Sequence, residues 1–155
     1  MKPVKKRNVR QEAIRELVRG EHIRTQGDLV EKLQERGFSC TQATVSRDIT
    51  EMNLRKLPEG VYVLAEDLHM QRMVADLVTD VVRSENLVIV KASPGSAAAV
   101  AAALDGADMD GVLGSIAGDD TILVIGTDVE GAKEFEQVMN KLRFEEGLLH
   151  RIVDG

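Results

Sequence analysis

The feature that most restricts how this chain can fold is the order of hydrophobic patterns in its first 64 residues. Three short segments place apolar side chains at helical spacing, namely Ile14, Leu17 and Val18, then Leu29, Val30 and Leu33, and then Val45, Ile49 and Met52. Two strand-like pieces follow in LRKLPEGVYVL, residues 54–64, on either side of the turn signal Pro58-Glu59-Gly60. Three helices and a hairpin predict a winged helix-turn-helix domain over residues 1–66.

Polar residues mark the ends of these helices. Thr25 precedes the second helix and Asp28 follows three residues later, which is the spacing of a capping box. Thr41 stands at the equivalent place before the third helix. Gly37 follows the second helix, where glycine commonly ends a helix. We therefore expect the second helix to end near Gly37 and the third to begin next to Thr41.

Charge divides the chain into two unequal parts. Residues 1–57 contain 13 Lys and Arg against 8 Asp and Glu, whereas the remaining residues contain 7 against 18. A basic part beside an acidic one indicates that the first binds a polyanion, and an unevenly charged, solvated surface is the alternative. The composition changes in AEDLHMQRM, so we expect a connector over residues 67–75 and a second domain over 76–155.

The third predicted helix has an outer face suited to the major groove of DNA. When its apolar stripe faces inward, its outward residues are Ala43, Arg47 and Thr50, flanked by Thr44 and Ser46. Small side chains let the backbone approach, hydroxyl groups reach phosphates or base edges, and Arg47 can form two hydrogen bonds to guanine. An ordinary amphipathic surface helix is the alternative.

Further basic residues favour the DNA-binding interpretation. An N-terminal arm contains Lys2, Lys5, Lys6, Arg7 and Arg10, and the hairpin contains Arg55 and Lys56. Cations in such positions attract the phosphate backbone without regard to sequence. We expect Lys5 and Lys6 to make contacts of this kind.

Beyond the connector the patterns predict a small α/β domain. Residues 87–90, LVIV, form one strand, and an alanine-rich helix then follows with Ser96 as its cap. Residues 74–82 fit either a helix or a strand, so periodicity leaves this segment open.

Two more strands and a last helix complete this domain, at residues 111–117, 121–126 and 128–142. Residues 122–125 are apolar without alternation, which requires cover on both faces of the sheet, whereas two helices cover only one. We expect another subunit to cover the second face, and a tightly packed monomer is the alternative.

The turn between these two strands carries an acidic pair. Gly118 supplies backbone freedom in GSIAGDDT, and Asp119 and Asp120 are favoured turn residues that can face one site. In a monomer both carboxylates would lie in water. Near a subunit interface they would need a cation, either a planar guanidinium or a divalent metal ion.

Three motifs together resemble the bacterial arginine repressor family over nearly the whole chain: TQATVSRDI, SPGSAAAVAAALD and GSIAGDDT, in this order and spacing. The resemblance implies an α+β two-domain protein that binds operator DNA through its winged helix-turn-helix. It implies a C-terminal ββαββα domain with an antiparallel sheet that forms trimers, which pair into a hexamer with L-arginine between them as co-repressor. It also makes residues 77–83 a strand paired with residues 87–92.

The resemblance further implies which residues form the two sites. On DNA these are Gln42, Thr44, Ser46 and Arg47, and around arginine they are Asp119, Asp120, Asp105, Ala117, Ser115 and Ala98. Asp119 would hold the arginine side chain, with Asp120 as a supporting acid. Ser115 stands where the family usually has Thr, and Ala98 stands where several members have Gln that touches the polar end of the ligand. Residues 143–155 extend beyond the usual end of the family.

Enzyme classes fit the sequence poorly. His22, His69 and His150 lie far apart, Cys40 has no zinc-ligand pattern around it, and SPGSA lacks the lysine of a phosphate-binding loop. The rival hypothesis is a metal-dependent enzyme or phosphotransfer module, with Asp119 and Asp120 as ligands to Mg²⁺, fused to a regulatory DNA-binding domain. A further alternative is a DNA-binding regulator that activates catabolic genes or that responds to another amino acid. We expect no resident metal or cofactor.

The sequence also favours a cytoplasmic protein. The lone Cys40 cannot form an intramolecular disulfide, and the charged opening MKPVKKRNVR has no apolar segment of a secretory signal behind it. No apolar run is long enough to span a bilayer.

Overall fold

The structure, a computed structural model, describes residues 8–144 as two compact units that divide between Ala65 and Glu66. The first unit contains α1 Val9–Gly20, α2 Gln26–Glu35, α3 Gln42–Glu51, β1 Leu54–Lys56 and β2 Tyr62–Leu64. The two strands pair antiparallel. This order of elements confirms the predicted winged helix-turn-helix.

Aliphatic side chains hold the first unit together. Ile14, Ile23, Leu29, Leu33 and Val45 are fully buried in one cluster. Burying a side chain of this size contributes roughly 1.5–3 kcal/mol, so this cluster is the main attraction between α1, α2 and α3.

The predicted helix ends are confirmed. The Thr25 hydroxyl accepts a hydrogen bond from the Asp28 amide at 3.0 Å, and the Thr41 hydroxyl accepts one from the Thr44 amide at 3.3 Å. Gly37 follows α2 with a φ of +89°, a left-handed conformation that glycine adopts without strain.

The predicted connector is helical. Residues 67–75 lie within α4, Ala65–Leu77, which is followed at once by β3, Val78–Ser84. Met70 and Val74 of α4 are buried in the core of the second unit. The segment that periodicity left open is therefore helix up to Leu77 and strand after it. The domain boundaries at 66 and 76 stay predictions.

The second unit continues with β4 Leu87–Ala92, α5 Ala97–Ala107, β5 Val112–Ala117, β6 Thr121–Gly126 and α6 Val129–Phe144. Its four strands form an antiparallel sheet in the order β3-β4-β6-β5. The ββαββα topology is as predicted, and β3 pairs with β4 as the family resemblance implied.

The two faces of this sheet differ in their cover. One face packs with α5 and α6 around buried residues that include Val88, Val124 and Phe135. On the other face, strand register aligns a row of four apolar side chains, Val82, Ile89, Leu123 and Ile116. Val82 is 54% exposed and Ile116 is 67% exposed. We call this row the outer apolar row.

One local prediction is wrong. Ser96 occupies the N-cap position of α5, but its side chain accepts no hydrogen bond from the helix. Its hydroxyl instead donates to the Ser93 carbonyl at 2.6 Å, within the turn around Pro94 and Gly95. Within residues 8–144, none of the helices has the length and apolar character needed to cross a membrane.

Candidate functional site

The outer face of α3 presents the residues predicted to meet DNA. Gln42, Ala43, Arg47 and Thr50 are exposed, and Thr44 and Ser46 are half-buried at the edges of this face. The predicted orientation of α3 is therefore confirmed. Ala43 has a small side chain and lies beside the exposed Arg47 on this face, which suits entry into a major groove.

The inner face of α3 contains a charge that the sequence interpretation missed. Asp48 is 2% exposed, and its carboxylate accepts hydrogen bonds from Nε and Nη2 of Arg10, the second at 3.0 Å. Gln11 Nε2 also donates to Asp48 Oδ1, at 3.1 Å. The assignment of Arg10 to the DNA-binding arm is corrected by this contact, because Asp48 engages its guanidinium. Lys5 and Lys6 lie outside the described residues.

The electrostatics of this pair favour its ionised form. Burial alone would raise the pKa of Asp48, but hydrogen bonds from Arg10 and Gln11 and the charges of Arg10 and Arg47 lower it below its ordinary value of 3.8. The hydrogen bond to Asp48 likewise raises the pKa of Arg10. Asp48 therefore remains an anion at neutral pH.

The hairpin of the first unit is attached to the loop before α2. Arg24 Nη1 donates to the Glu59 carbonyl at 3.1 Å, and the Tyr62 amide donates to the Ile23 carbonyl at 2.9 Å. The Lys56 ammonium lies 5.5 Å from the centre of the Tyr62 ring. These contacts fix the hairpin, so that its exposed basic residues, Arg55 and Lys56, keep a defined position within the unit.

The acidic turn of the second unit connects β5 and β6, as predicted. Asp119 Oδ2 accepts a hydrogen bond from the Gly95 amide at 3.3 Å, and the Asp119 carbonyl accepts one from the Ala97 amide at 3.1 Å. Asp120 Oδ1 accepts one from the Thr121 hydroxyl at 2.8 Å and lies 3.9 Å from Lys91 Nζ. Within one chain the two exposed carboxylates therefore contact different groups.

The remaining predicted effector residues lie along α5 and β5. Ala98 is exposed in the first turn of α5, and Ala117 is exposed at the end of β5 beside the acidic turn. Asp105 is exposed near the other end of α5, where it accepts a hydrogen bond from the Ser115 hydroxyl at 3.2 Å.

Asp105 and Asp119 lie towards opposite ends of α5. Asp119 bonds to Ala97, the first residue of the helix, and Asp105 follows Ala97 by eight residues. At 1.5 Å per residue this separates them by about 12 Å along the helix axis. One chain therefore brings Asp105 to Ser115, and Asp119 to the start of α5, but does not bring the two aspartates together. Among residues 8–144, no three His, Cys, Asp or Glu side chains are grouped as metal ligands.

A winged helix-turn-helix with a small, hydroxylated and basic recognition helix, joined to a small α/β domain, defines a DNA-binding transcriptional regulator. Two family models match this chain: the arginine repressor DNA-binding domain over residues 5–70, and the arginine repressor C-terminal domain over residues 74–141. The chain belongs to the arginine repressor family, as its motifs predicted.

Relatives from several bacteria agree with this assignment. The arginine repressor of Carboxydothermus hydrogenoformans is 44% identical over 151 residues, which cover 90% of this chain and 97% of that protein. The arginine repressor of Thermus thermophilus is 42% identical over 157 residues, covering 94% and 96%. That of Solibacter usitatus is 41% identical over 134 residues, covering 84% and 92%. The family consists of DNA-binding repressors and not of enzymes.

Proposed function

We propose that this chain is an L-arginine-dependent repressor that acts in the cytoplasm on operators of arginine metabolism genes, as a hexamer of two trimers. The observation that carries the proposal is the exposed acidic turn at the end of a sheet whose second face carries the outer apolar row, with Val82 and Ile116 exposed in the single chain. An exposed apolar surface indicates a partner, and carboxylates brought together in a subunit interface need a cation.

The outer apolar row supports assembly. Val82 and Ile116 are largely exposed, and Ile89 and Leu123 lie between them in register. Removing such surface from water contributes roughly 25 cal/mol per Å², so contact between copies of this face is favourable. The family resemblance supplies the number of copies, three in each layer.

The positions of the acids support a ligand shared between subunits. Asp119 is our candidate for the arginine guanidinium because a carboxylate accepts two parallel hydrogen bonds from it, with Asp120 as a supporting acid. Asp105 lies about 12 Å along α5 from the residue that Asp119 bonds, so the two acids of one chain do not meet at one guanidinium group. A guanidinium group that contacts both kinds of acid therefore takes them from different subunits, and such a ligand binds the assembled protein.

The residues around the acids set the strength of binding. The Ser115 hydroxyl and the backbone near Ala117 can supply polar contacts. Ala98 has only a methyl group where several relatives of the family have an amide side chain, so it makes no hydrogen bond to the amino-acid end of the ligand. We expect weaker arginine binding than a glutamine at this position would give.

Arginine increases DNA binding by shifting the equilibrium between trimer and hexamer. Carboxylates that approach each other between trimers repel and lose solvation, so the hexamer is weak until a cation arrives. A ligand that binds only the hexamer shifts the equilibrium towards it. A hexamer with paired DNA-binding domains can then bind two half-sites at once.

Calorimetry and sedimentation of the full chain test this proposal. We expect L-arginine to bind and to increase the hexamer fraction, whereas L-citrulline, which lacks the charge, and MgCl₂ do neither. Asp119→Asn removes the charged acceptor and should abolish arginine binding while its thermal melting stays close to that of the parent.

Asp110→Asn is the matched control, since Asp110 is an exposed acid in the loop before β5. It should bind arginine as the parent does. Citrulline binding as strong as arginine binding would refute charge recognition, and binding of Mg²⁺ alone would favour the metal-dependent alternative.

A further inference from the structure

Asp48 is a charged residue that is buried on the inner face of the recognition helix. Within residues 8–144, it is the only charged or polar residue that is buried, and it directly follows Arg47 on the recognition helix α3. An ionised group in such a position loses its hydration and is tolerated only when its partners replace the lost hydrogen bonds.

Among residues 8–144, the hydrogen-bond partners of Asp48 are two residues in the first turn of α1. Arg10 forms a fork with both carboxylate oxygens, and its own side chain is 25% exposed. Gln11 Nε2 donates to Asp48 and also to Glu51 Oε2, at 2.8 Å. Asp48 and Glu51 are three residues apart, so α1 is bonded to α3 at two points along one side of α3.

Directional contacts matter here because the apolar contacts of α3 are few. Of its apolar inner residues, Val45 is fully buried, but Ile49 is only partly buried, as is Met52 just after the helix. These apolar contacts hold α3 against the core, but they only weakly restrict the rotation of α3 about its own axis. A two-point fork between planar groups specifies an orientation as well as a distance.

We propose that Arg10 and Asp48 are positioning residues for sequence-specific DNA recognition. Their ion pair fixes the rotation of α3 against α1 and so fixes the direction in which Arg47 reaches base edges. A rotation of about 15° moves a group about 6 Å from a helix axis by about 1.5 Å. That displacement exceeds the range over which a hydrogen bond to a base is retained.

The ion pair between Arg10 and Asp48 affects sequence-specific binding and not non-specific binding to DNA. Base contacts depend on the direction of Arg47, whereas attraction to phosphates depends mainly on charge. Arg10 is engaged by Asp48, so loss of the pair should change the preference for one sequence without changing general affinity for DNA.

A double variant, Arg10→Met with Asp48→Leu, removes both charges together. Replacing a buried ion pair by apolar residues of similar size is often neutral for stability, whereas removing one partner leaves an uncompensated charge. We expect this variant to melt close to the parent. Its affinity for a duplex selected by the parent from random sequences should fall at least about tenfold, with unchanged affinity and salt dependence on random DNA.

A conservative variant supplies a second test that needs no repacking. Arg10→Lys keeps the charge but cannot form the fork, so we expect its ratio of specific to non-specific affinity to fall as well. Arg36→Lys is the matched control, because Arg36 pairs with Glu16 of α1 at an exposed site that does not involve α3. It should keep the ratio of the parent.

Two results would overturn the proposal. The first is that the folded double variant has the same ratio of specific to non-specific affinity as the parent. If the double variant does not fold, the same result with Arg10→Lys would overturn the proposal. The other is an equal loss of affinity on both kinds of DNA with a reduced salt dependence, which would make Arg10 a phosphate contact.

Discussion

Neighbouring residues on the recognition helix have opposite environments. Arg47 is exposed on the outer face of α3, whereas Asp48 is buried against α1. A helix turns by about 100° per residue, which is enough to direct one side chain to DNA and the next to the core. The sequence identified Arg47 from its place on the outer face.

The sequence also contained a signal for Asp48 that charge counting overlooked. Asp48 lies on the same helical stripe as Val45 and Met52, where an acid needs a buried partner. Its partner could not be identified, because Arg10 is 38 residues earlier and only the tertiary fold brings the two together. The contact between Asp119 and Gly95, 24 residues apart, was hidden for the same reason.

The first prediction concerns the exposed arginine. Arg47→Ala should weaken binding to a specific operator by about 1–3 kcal/mol, since it removes a bidentate contact to a base, and should leave the melting temperature nearly unchanged. Fluorescence anisotropy at constant salt measures the affinity of the parent and of the variant for the operator. Lys5→Ala should differ by weakening all sequences alike and lowering the salt dependence. If Arg47→Ala kept parental affinity for the operator, the recognition-helix assignment would be wrong.

The second prediction concerns pH. The pKa of Asp48 is lower in the folded chain than its ordinary value of 3.8. Its ionised form therefore stabilises the fold above the unfolded pKa, and this contribution is lost as the pH falls through the lower folded pKa. Asp48→Asn should be less stable than the parent at neutral pH, and urea unfolding should give a difference that shrinks below about pH 4. A difference independent of pH would show that the charge contributes nothing.

At the scale of elements, the residues next to each helix end predicted the ends of α2 and the start of α3. Thr25, Thr41 and Gly37 act where expected because caps and left-handed glycines depend on a few adjacent residues. The connector was predicted from its polar composition without a secondary structure, and α4 spans it. Periodicity alone left the start of β3 open because helix changes to strand between Leu77 and Val78 with no turn residue between them, whereas the family resemblance made residues 77–83 a strand.

The third prediction concerns a close approach between α6 and the start of β5. A Cβ on Gly131 would lie 2.7 Å from the Gly111 carbonyl oxygen and 2.9 Å from Thr127 Oγ1. Gly131→Ala should therefore destabilise the second unit by about 1–3 kcal/mol. Gly106→Ala is the control, because no atom lies within 4 Å of its added Cβ and alanine favours helix. Thermal melting that ranked the two variants in the opposite order would contradict this packing.

At the scale of the whole molecule, the two parts have different chemistry. The basic first part faces a polyanion, while the second combines an outer apolar row with exposed acids at the ends of α5. We propose that regulation by arginine depends on assembly, because Asp105 and Asp119 lie towards opposite ends of α5 within one chain.

Binding of operator DNA with and without L-arginine tests this dependence most directly. With a duplex from upstream of an arginine-biosynthesis operon, we expect L-arginine to lower the protein concentration needed for half-binding, and L-citrulline to have no effect. Asp119→Asn should bind with the affinity of the arginine-free parent under both conditions. Equal operator affinity of the parent with and without L-arginine would contradict the proposed role of arginine.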